Sequence, residues 1–224
     1  MESGTGDENM TNFLMIGVTI WVAIYALSYY KSGRNNPDHF NNHTVSHFHC
    51  FVGITLAFLD IYFNDDAIFS TTTLIAWDTG WFVVDLIDCF VRGDAMFFVH
   101  AIVGFFLLRT CSLSPFYELK AASKGYVVEL NVPFMNRWKT TKTKADFRNF
   151  MAATFLFRIV YTPIFLNGIN TDGNGAIVNN KFAILSSAAF YLMNVIWFYK
   201  GVIMYVNYDE KKATSKAEIR KKQQ

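Results

Sequence analysis

The stretch TLIAWDTGWFVVDLIDCFV, residues 73–91, decides the fold. About 20 apolar residues are needed to cross a hydrocarbon core as a helix, and this stretch is nearly that long. It is mostly apolar, yet it contains Asp78, Asp85 and Asp88. With Trp81, these residues stand at i, i+3, i+7 and i+10, which places them on one stripe of an α-helix. Because an ionisable side chain at the centre of a membrane helix costs at least about 2.5 kcal/mol, we expect this stripe to face the interior of a helix bundle.

The composition of the whole chain agrees with a membrane setting. Of 224 residues, 52% are hydrophobic and only 17% are charged, and 23 are phenylalanine. A soluble domain carries about 25% charged residues, and a disordered chain combines low hydrophobicity with a high net charge. The formal net charge of +2 does not indicate a nucleic-acid partner.

Apolar segments of near-spanning length recur along the chain. A weaker one, Phe116–Phe134, contains charged residues and Pro133, which removes a backbone donor and should break the helix near its end. We interpret it as a shielded span. The predicted fold is therefore an all-α, multi-pass transmembrane helix bundle of about seven spans. The six stronger segments are Phe13–Tyr30, Thr44–Phe63, Ala67–Val91, Ala95–Leu113, Phe150–Leu166 and Phe182–Val206.

The distribution of Lys and Arg predicts the orientation. Basic residues concentrate in the loops that would be cytosolic if the amino terminus were lumenal, and in the carboxyl-terminal tail. The predicted organisation is a short lumenal tail at 1–12, a transmembrane domain at 13–206 and a basic cytosolic tail at 207–224.

Several ionisable residues are predicted to lie at one depth. Asp85 stands eight residues before Gly93 in the short turn after the third span, and His100 stands seven residues after it, so both lie roughly 10–12 Å below the cytosolic surface. Glu129 and Arg158 reach a comparable level from other segments. A convergent polar cavity of this kind suits a lipid headgroup or an acyl thioester. Two structural interpretations stay open beside this functional one. In the first, His100 is a hydrogen-bonded core histidine. In the second, the acidic residues only neutralise Arg158 and Lys200.

The cysteines and histidines do not indicate a disulfide framework or a metal site. Cys50, Cys89 and Cys111 are odd in number and lie inside apolar stretches, where free cysteine fills space between helices. His43 and His47 stand at i, i+4, a spacing that could bind a metal, and His47 and His49 stand at i, i+2. With five histidines and no histidine clusters, we interpret them as interfacial and predict neither a metal nor a resident cofactor.

Three motifs resemble the TLC-domain family, which includes ceramide synthases and related membrane proteins. They are GWFVVDL at 80–86, FFVH at 97–100 and ELNVPFMNRW at 129–138, in the family's order. The last is similar to the family's Glu-Leu-Ser-Thr-Pro-Phe pattern followed by Asn, Arg and Trp. The resemblance covers roughly residues 40–206.

The resemblance favours the small non-synthase members, which are associated with membrane lipid composition. The family's acyltransferases use two adjacent histidines, whereas His100 here follows Val99. The acidic loop motif of the synthases is also missing at 167–175. The resemblance thus implies a protein of membrane lipid homeostasis that binds a lipid or acyl chain in a cavity open toward the cytosol. The predicted lipid-binding set is Asp78, Asp85, His100, Glu129, Asn136, Arg137 and Arg158.

Two other functions remain as alternatives. The first is an acyltransferase with acyl-CoA as co-substrate, in which His100 is the general base and Asp85 sets its tautomer. The second is a transporter, suggested by the aspartate stripe, although we find no internal repeat of the kind many carriers contain.

The carboxyl terminus reads Lys221-Lys222-Gln223-Gln224, which resembles the dilysine signal that returns proteins to the endoplasmic reticulum. It predicts the endoplasmic reticulum membrane as the location and coat-protein retrieval machinery as a partner, beside membrane lipids. A basic tail that touches anionic lipid is the alternative. Whether the chain forms a homo-oligomer is left open.

Overall fold

A computed structural model describes residues 4–32, 43–63 and 70–209. These ranges are helical and contain no strand. The helices are α1 (Gly4–Ser32), α2 (His43–Tyr62), α3 (Thr71–Arg92), α4 (Ala95–Cys111), α5 (Ala121–Gly125), α6 (Val132–Thr141), α7 (Lys144–Thr154), α8 (Tyr161–Asp172) and α9 (Lys181–Val206). A 3₁₀ segment, Tyr126–Asn131, joins α5 to α6, and a π-helical segment, Phe155–Val160, joins α7 to α8.

Three helical stretches of the described chain are long and apolar enough to cross a membrane. They are Val45–Tyr62, Lys144–Asp172 and Lys181–Val206, and two shorter apolar helices cover Asn12–Leu27 and Ala95–Cys111. Large apolar side chains are exposed on the outside, such as Ile164, Leu185 and Leu192. An all-helical protein with three candidate membrane-spanning helices is thus what the described residues show.

Local capping explains the sharp turn between α3 and α4. Gly93 adopts φ +70°, a left-handed conformation that ends α3 at little cost only for glycine. Asp94 then caps α4, its side chain accepting a hydrogen bond from the Phe97 backbone N–H at 3.3 Å. The two helices therefore run antiparallel, which brings Phe82 in the middle of α3 beside Gly104 in the middle of α4.

The prediction for Phe116–Phe134 was wrong in its details. The chain makes turns up to Lys120, then forms α5 and the 3₁₀ segment, so no single regular helix spans this stretch. Pro133 does not break a helix but lies in the first turn of α6. Proline is tolerated there because the first backbone N–H groups of a helix have no intrahelical partner.

Helix α1 packs closely on α3. A Cβ atom added to Gly80 would overlap the backbone of Gly17, so these two glycines let the helix backbones approach. Trp21 of α1 is fully buried and donates a hydrogen bond from Nε1 to the backbone oxygen of Trp77 at 2.8 Å. This contact packs α1 along one side of α3.

Asp60 ties the end of α2 to two other segments. It is buried and accepts hydrogen bonds from the hydroxyls of Thr71, at 2.7 Å, and Ser123. Lys120 forms an ion pair with the same carboxylate at 3.3 Å and also donates to the Asp60 backbone oxygen. The carboxylate thus holds α2, α3 and α5 together at one end of the molecule.

We predict that Asp60→Asn lowers the free energy of unfolding by about 3 kcal/mol, because breaking a buried ion pair leaves one charge uncompensated. The measurement is denaturant unfolding in detergent micelles. The matched control is Asp172→Asn, which removes a 3.8 Å pair with Lys124 in which both side chains are well exposed, so a loss below about 1 kcal/mol is expected. Equal losses for the two variants would contradict the assigned role of Asp60.

Candidate functional site

Two neighbouring cavities lie between the helices. The first, here called the apolar cavity, has a volume of about 100 Å³ and is lined mostly by apolar residues of α3, α4, α5, the 3₁₀ segment, α8 and α9. The second, the polar cavity, has a volume of about 120 Å³ and contains most of the ionisable groups. The residues that line both cavities are His49, Trp81, His100 and Glu129.

The polar cavity collects side chains from distant parts of the sequence. Asp85, His100, Glu129 and Arg158, which were predicted to lie at one depth, all line it. Asp78 lines the apolar cavity instead, together with His100 and Glu129. The structure therefore brings five of the seven predicted lipid-binding residues to the two cavities.

A buried ion pair forms one wall of the polar cavity. Arg158 donates from Nη2 to Glu129 Oε1 at 3.0 Å and from Nη1 to Asn194 Oδ1 at 3.3 Å. The Arg158 side chain is 6% exposed and that of Glu129 is 20% exposed. Arg158 stands in the π-helical segment, an irregularity that frequently marks functional sites. Asn194 was not predicted as a site residue, because a single asparagine in an apolar helix forms no recognisable sequence motif.

The aspartate stripe of α3 faces the interior, as predicted. Asp78, Asp85, Asp88 and Trp81 are all buried. Tyr25 of α1 donates a hydrogen bond to Asp88 Oδ1 at 3.1 Å, so this residue is enclosed by protein although it stands near the end of α3.

His49 is paired with an aspartate. Its Nε2 lies 2.9 Å from Asp78 Oδ1, and the Tyr126 hydroxyl donates to the same oxygen at 3.0 Å. The imidazole stacks on Trp81, with ring centroids 4.4 Å apart. Because a carboxylate is an acceptor, the neutral ring carries its proton on Nε2 and presents Nδ1 as a base.

His100 has different surroundings from those predicted. The sequence interpretation made Asp85 its orienting partner, but the carboxylate–imidazole pair is Asp78 with His49. The His100 ring contacts Trp197 and Phe82, with ring centroids 4.9 and 5.9 Å away. Its Nδ1 is buried and has no hydrogen-bond partner within residues 4–32, 43–63 and 70–209. Helical register explains the difference, because α2 enters beside Asp78, a contact that spacing within α3 and α4 does not reveal.

Two predicted residues line neither cavity. Arg137 forms an ion pair with Asp146 at 2.8 Å and its side chain is 72% exposed. Asn136 is buried, and its side-chain amide finds no partner in the described part of the chain. The motif at 129–138 therefore contributes Glu129, Asn131, Val132 and Met135 to the polar cavity, while its Asn-Arg pair lies elsewhere.

The cysteines are free and buried, as expected of residues that fill space. By distance alone, Asp85, Asp88 and Cys89 could offer three ligands to a metal, since one ligand atom from each lies within 4.8 Å of the others. Cys89 Sγ also donates to Asp85 Oδ1 at 3.7 Å. The side chain of His43 and the residues Lys221 and Lys222 lie outside the described residues, as do 1–3 and 210–224.

No protein-family model, curated protein or solved structure matches this chain.

The ion pair in the polar cavity gives a second prediction. Glu129→Gln should lower the free energy of unfolding by about 3 kcal/mol, because it leaves the Arg158 guanidinium buried and uncompensated. Adding Arg158→Met should restore most of this loss, since both charges are then absent. The measurement is denaturant unfolding of the single and double variants in micelles.

The control for this cycle is Arg109→Met, which neutralises an exposed arginine of α4 and should change the free energy of unfolding by less than about 0.5 kcal/mol. Strictly additive effects of the Glu129 and Arg158 substitutions would show that the two charges are not coupled.

Proposed function

We propose that the chain is a multi-pass protein of the endoplasmic reticulum membrane that binds a lipid or acyl chain between its helices and acts in membrane lipid homeostasis. In this proposal it is related to the non-synthase TLC-domain proteins, has about seven spans, and has a lumenal amino terminus and a cytosolic carboxyl terminus. Retrieval through Lys221 and Lys222 is part of the same proposal.

The surface of α3 supports the larger number of spans. This helix is 22 residues long, which is enough to cross a hydrocarbon core. Its aspartates are buried, whereas Ile87, Phe90 and Val91 are exposed. A helix in a membrane is expected to expose apolar side chains to lipid and to bury its charged side chains in paired contacts, because exposing a charge to hydrocarbon is costly. The two shorter apolar helices, Asn12–Leu27 and Ala95–Cys111, supply further candidates.

The lipid proposal is supported mainly by one observation: the apolar cavity and the polar cavity adjoin each other. An amphiphile has a polar head joined to an apolar chain, and the shared lining residues His49, Trp81, His100 and Glu129 mark the corresponding boundary. A dry apolar cavity of about 150 Å³ holds a benzene ring. The apolar cavity, at about 100 Å³, is therefore sized for the first part of an acyl chain, and the remainder would extend between the helices.

An acyltransferase is the second candidate, and the His49–Asp78–Tyr126 contacts favour it. In this reaction an amine or hydroxyl nucleophile attacks the carbonyl carbon of an acyl-CoA thioester. A histidine accepts the nucleophile's proton, the C–S bond breaks, and the proton passes to the leaving thiolate. The geometry suits His49 for this role better than His100, because Asp78 orients its ring at 2.9 Å. Lys139 at the polar cavity would lie toward the CoA phosphates.

Blocking the apolar cavity tests the lipid proposal. Leu166 lines this cavity, so Leu166→Trp should fill it and reduce co-purified lipid by at least about tenfold, because overpacking leaves no room for a chain. The matched control is Ile164→Trp on the same helix, at a side chain that is 64% exposed, where lipid recovery should be unchanged. The measurement is mass spectrometry of lipids that elute with the purified protein.

If both variants fold and retain as much lipid as the wild type, the lipid is bound elsewhere on the protein and the cavity assignment fails. If both variants lose the same amount of lipid relative to the wild type, the lipid is loosely bound on the outer surface.

The enzymatic candidate is tested with labelled acyl-CoA and a panel of sphingoid and other long-chain amines in microsomes. His49→Gln should lower acyl transfer by about 10²–10⁴-fold, the range of general-base catalysis. His100→Gln should lower it less, since His100 has no carboxylate partner in the described structure. Equal transfer by wild type and His49→Gln, or transfer abolished only in His100→Gln, would remove His49 from this role.

A further inference from the structure

Two buried hydrogen-bond donors beside the polar cavity have no partner in the described part of the chain. They are Arg158 Nε and Asn194 Nδ2. Arg158 is 5% exposed and Asn194 is fully buried, and both residues line the polar cavity. An unpaired buried donor is costly, and native structures usually satisfy it with protein, water or a ligand.

The contact between these two residues fixes which group remains unpaired. A guanidinium has only donors, so the Asn194 side chain must turn its Oδ1 toward Arg158 Nη1, from which it lies 3.3 Å. The amide Nδ2 then points away from Arg158. Two residues that line the polar cavity thus each carry a buried donor that lacks an acceptor in the described part of the chain.

The charges around the polar cavity favour an uncharged ligand. Glu129 lies 3.0 Å from Arg158 and offsets its charge. Asp85 and Lys139 line the same cavity and balance each other formally. An anionic ligand, such as a carboxylate or phosphate, would be repelled by Glu129 and Asp85. Arg158 and Lys139 would not attract it strongly, because these acidic residues already offset their charges.

We propose that the unpaired donors of Asn194 and Arg158 bind oxygen atoms of an uncharged lipid whose chain is linked to its headgroup through an ester or amide, with the acyl carbonyl oxygen accepting from Asn194 Nδ2. This inference rests on the proposed lipid-binding function and names the ligand class of the same site. The carbonyl oxygen accepts from Asn194 Nδ2, and an oxygen of the headgroup accepts from Arg158 Nε. Asn131 lines the same cavity and its side-chain oxygen lacks a partner in the described residues, so it accepts from a hydroxyl or amide N–H of the headgroup.

The experiment compares two lipids that differ at the carbonyl. The purified full chain in detergent is titrated with 1-oleoylglycerol and with the ether 1-O-oleylglycerol, in which a methylene replaces the carbonyl. Binding is followed by tryptophan fluorescence, since Trp81 and Trp197 line the polar cavity. We expect the ester to bind at least about tenfold more tightly, because the ether leaves the buried Asn194 donor unpaired.

A substitution assigns the preference to Asn194. Asn194→Leu, which keeps the side-chain volume, should reduce the ester-to-ether ratio to within about twofold. The control is Ser187→Ala on the same helix, at a buried side chain that lines neither cavity, and it should keep the wild-type ratio. If Asn194→Leu does not fold, the wild-type comparison still decides between the outcomes.

Each result separates this inference from the function on which it rests. Equal affinities of wild type for ester and ether would overturn carbonyl recognition and leave lipid binding intact. Oleate, an anion with the same chain, is titrated in the same way, and tighter binding of oleate than of the ester would overturn the uncharged class. Binding of none of the three lipids, with no co-purified lipid in the wild type, would remove the proposed function itself.

Discussion

The cost of placing an ionisable side chain away from water is the constraint on which this structure depends. Asp60, Asp78 and Arg158 are buried in a protein that is 52% hydrophobic, and each has an oppositely charged or hydrogen-bonding partner. The pairs join segments far apart in the sequence, such as Asp60 with Lys120 and Arg158 with Glu129. Because a lone buried charge is far more expensive than a paired one, these contacts restrict how the helices can pack.

The same constraint explains where the candidate site lies. The segment from Ala121 to Asn131 inserts among α2, α3 and the π-helical segment, and contributes both Tyr126 and Glu129. Its short helix and 3₁₀ turn bring polar side chains into the middle of an apolar molecule. The apolar cavity and the polar cavity meet at this segment. A boundary between an apolar and a polar compartment inside one helix bundle is the feature that suits an amphiphilic ligand.

The helical class and the buried face of α3 followed from periodicity and length. The aspartate spacing predicted the buried face of α3, because 3.6 residues per turn fixes which side chains share a face. Asp85, His100, Glu129 and Arg158, which the sequence predicted at one depth, line one cavity. The predictions failed where the contact was between helices. Nothing in the spacing of α2 indicated that His49 would meet Asp78. Pro133 was predicted to break a helix although it lies in the first turn of α6.

By itself, the sequence determined the helical class, the apolar segments and the inward face of α3, since these depend on short-range periodicity and on composition. Only the tertiary structure decided which carboxylate meets which base, that Asn194 joins Arg158, and that Arg137 turns away to Asp146. The physical reason is that a helix fixes the direction of a side chain relative to its own axis, whereas its partner depends on the rotation and translation of the neighbouring helix. Those are set by the packing of many side chains together.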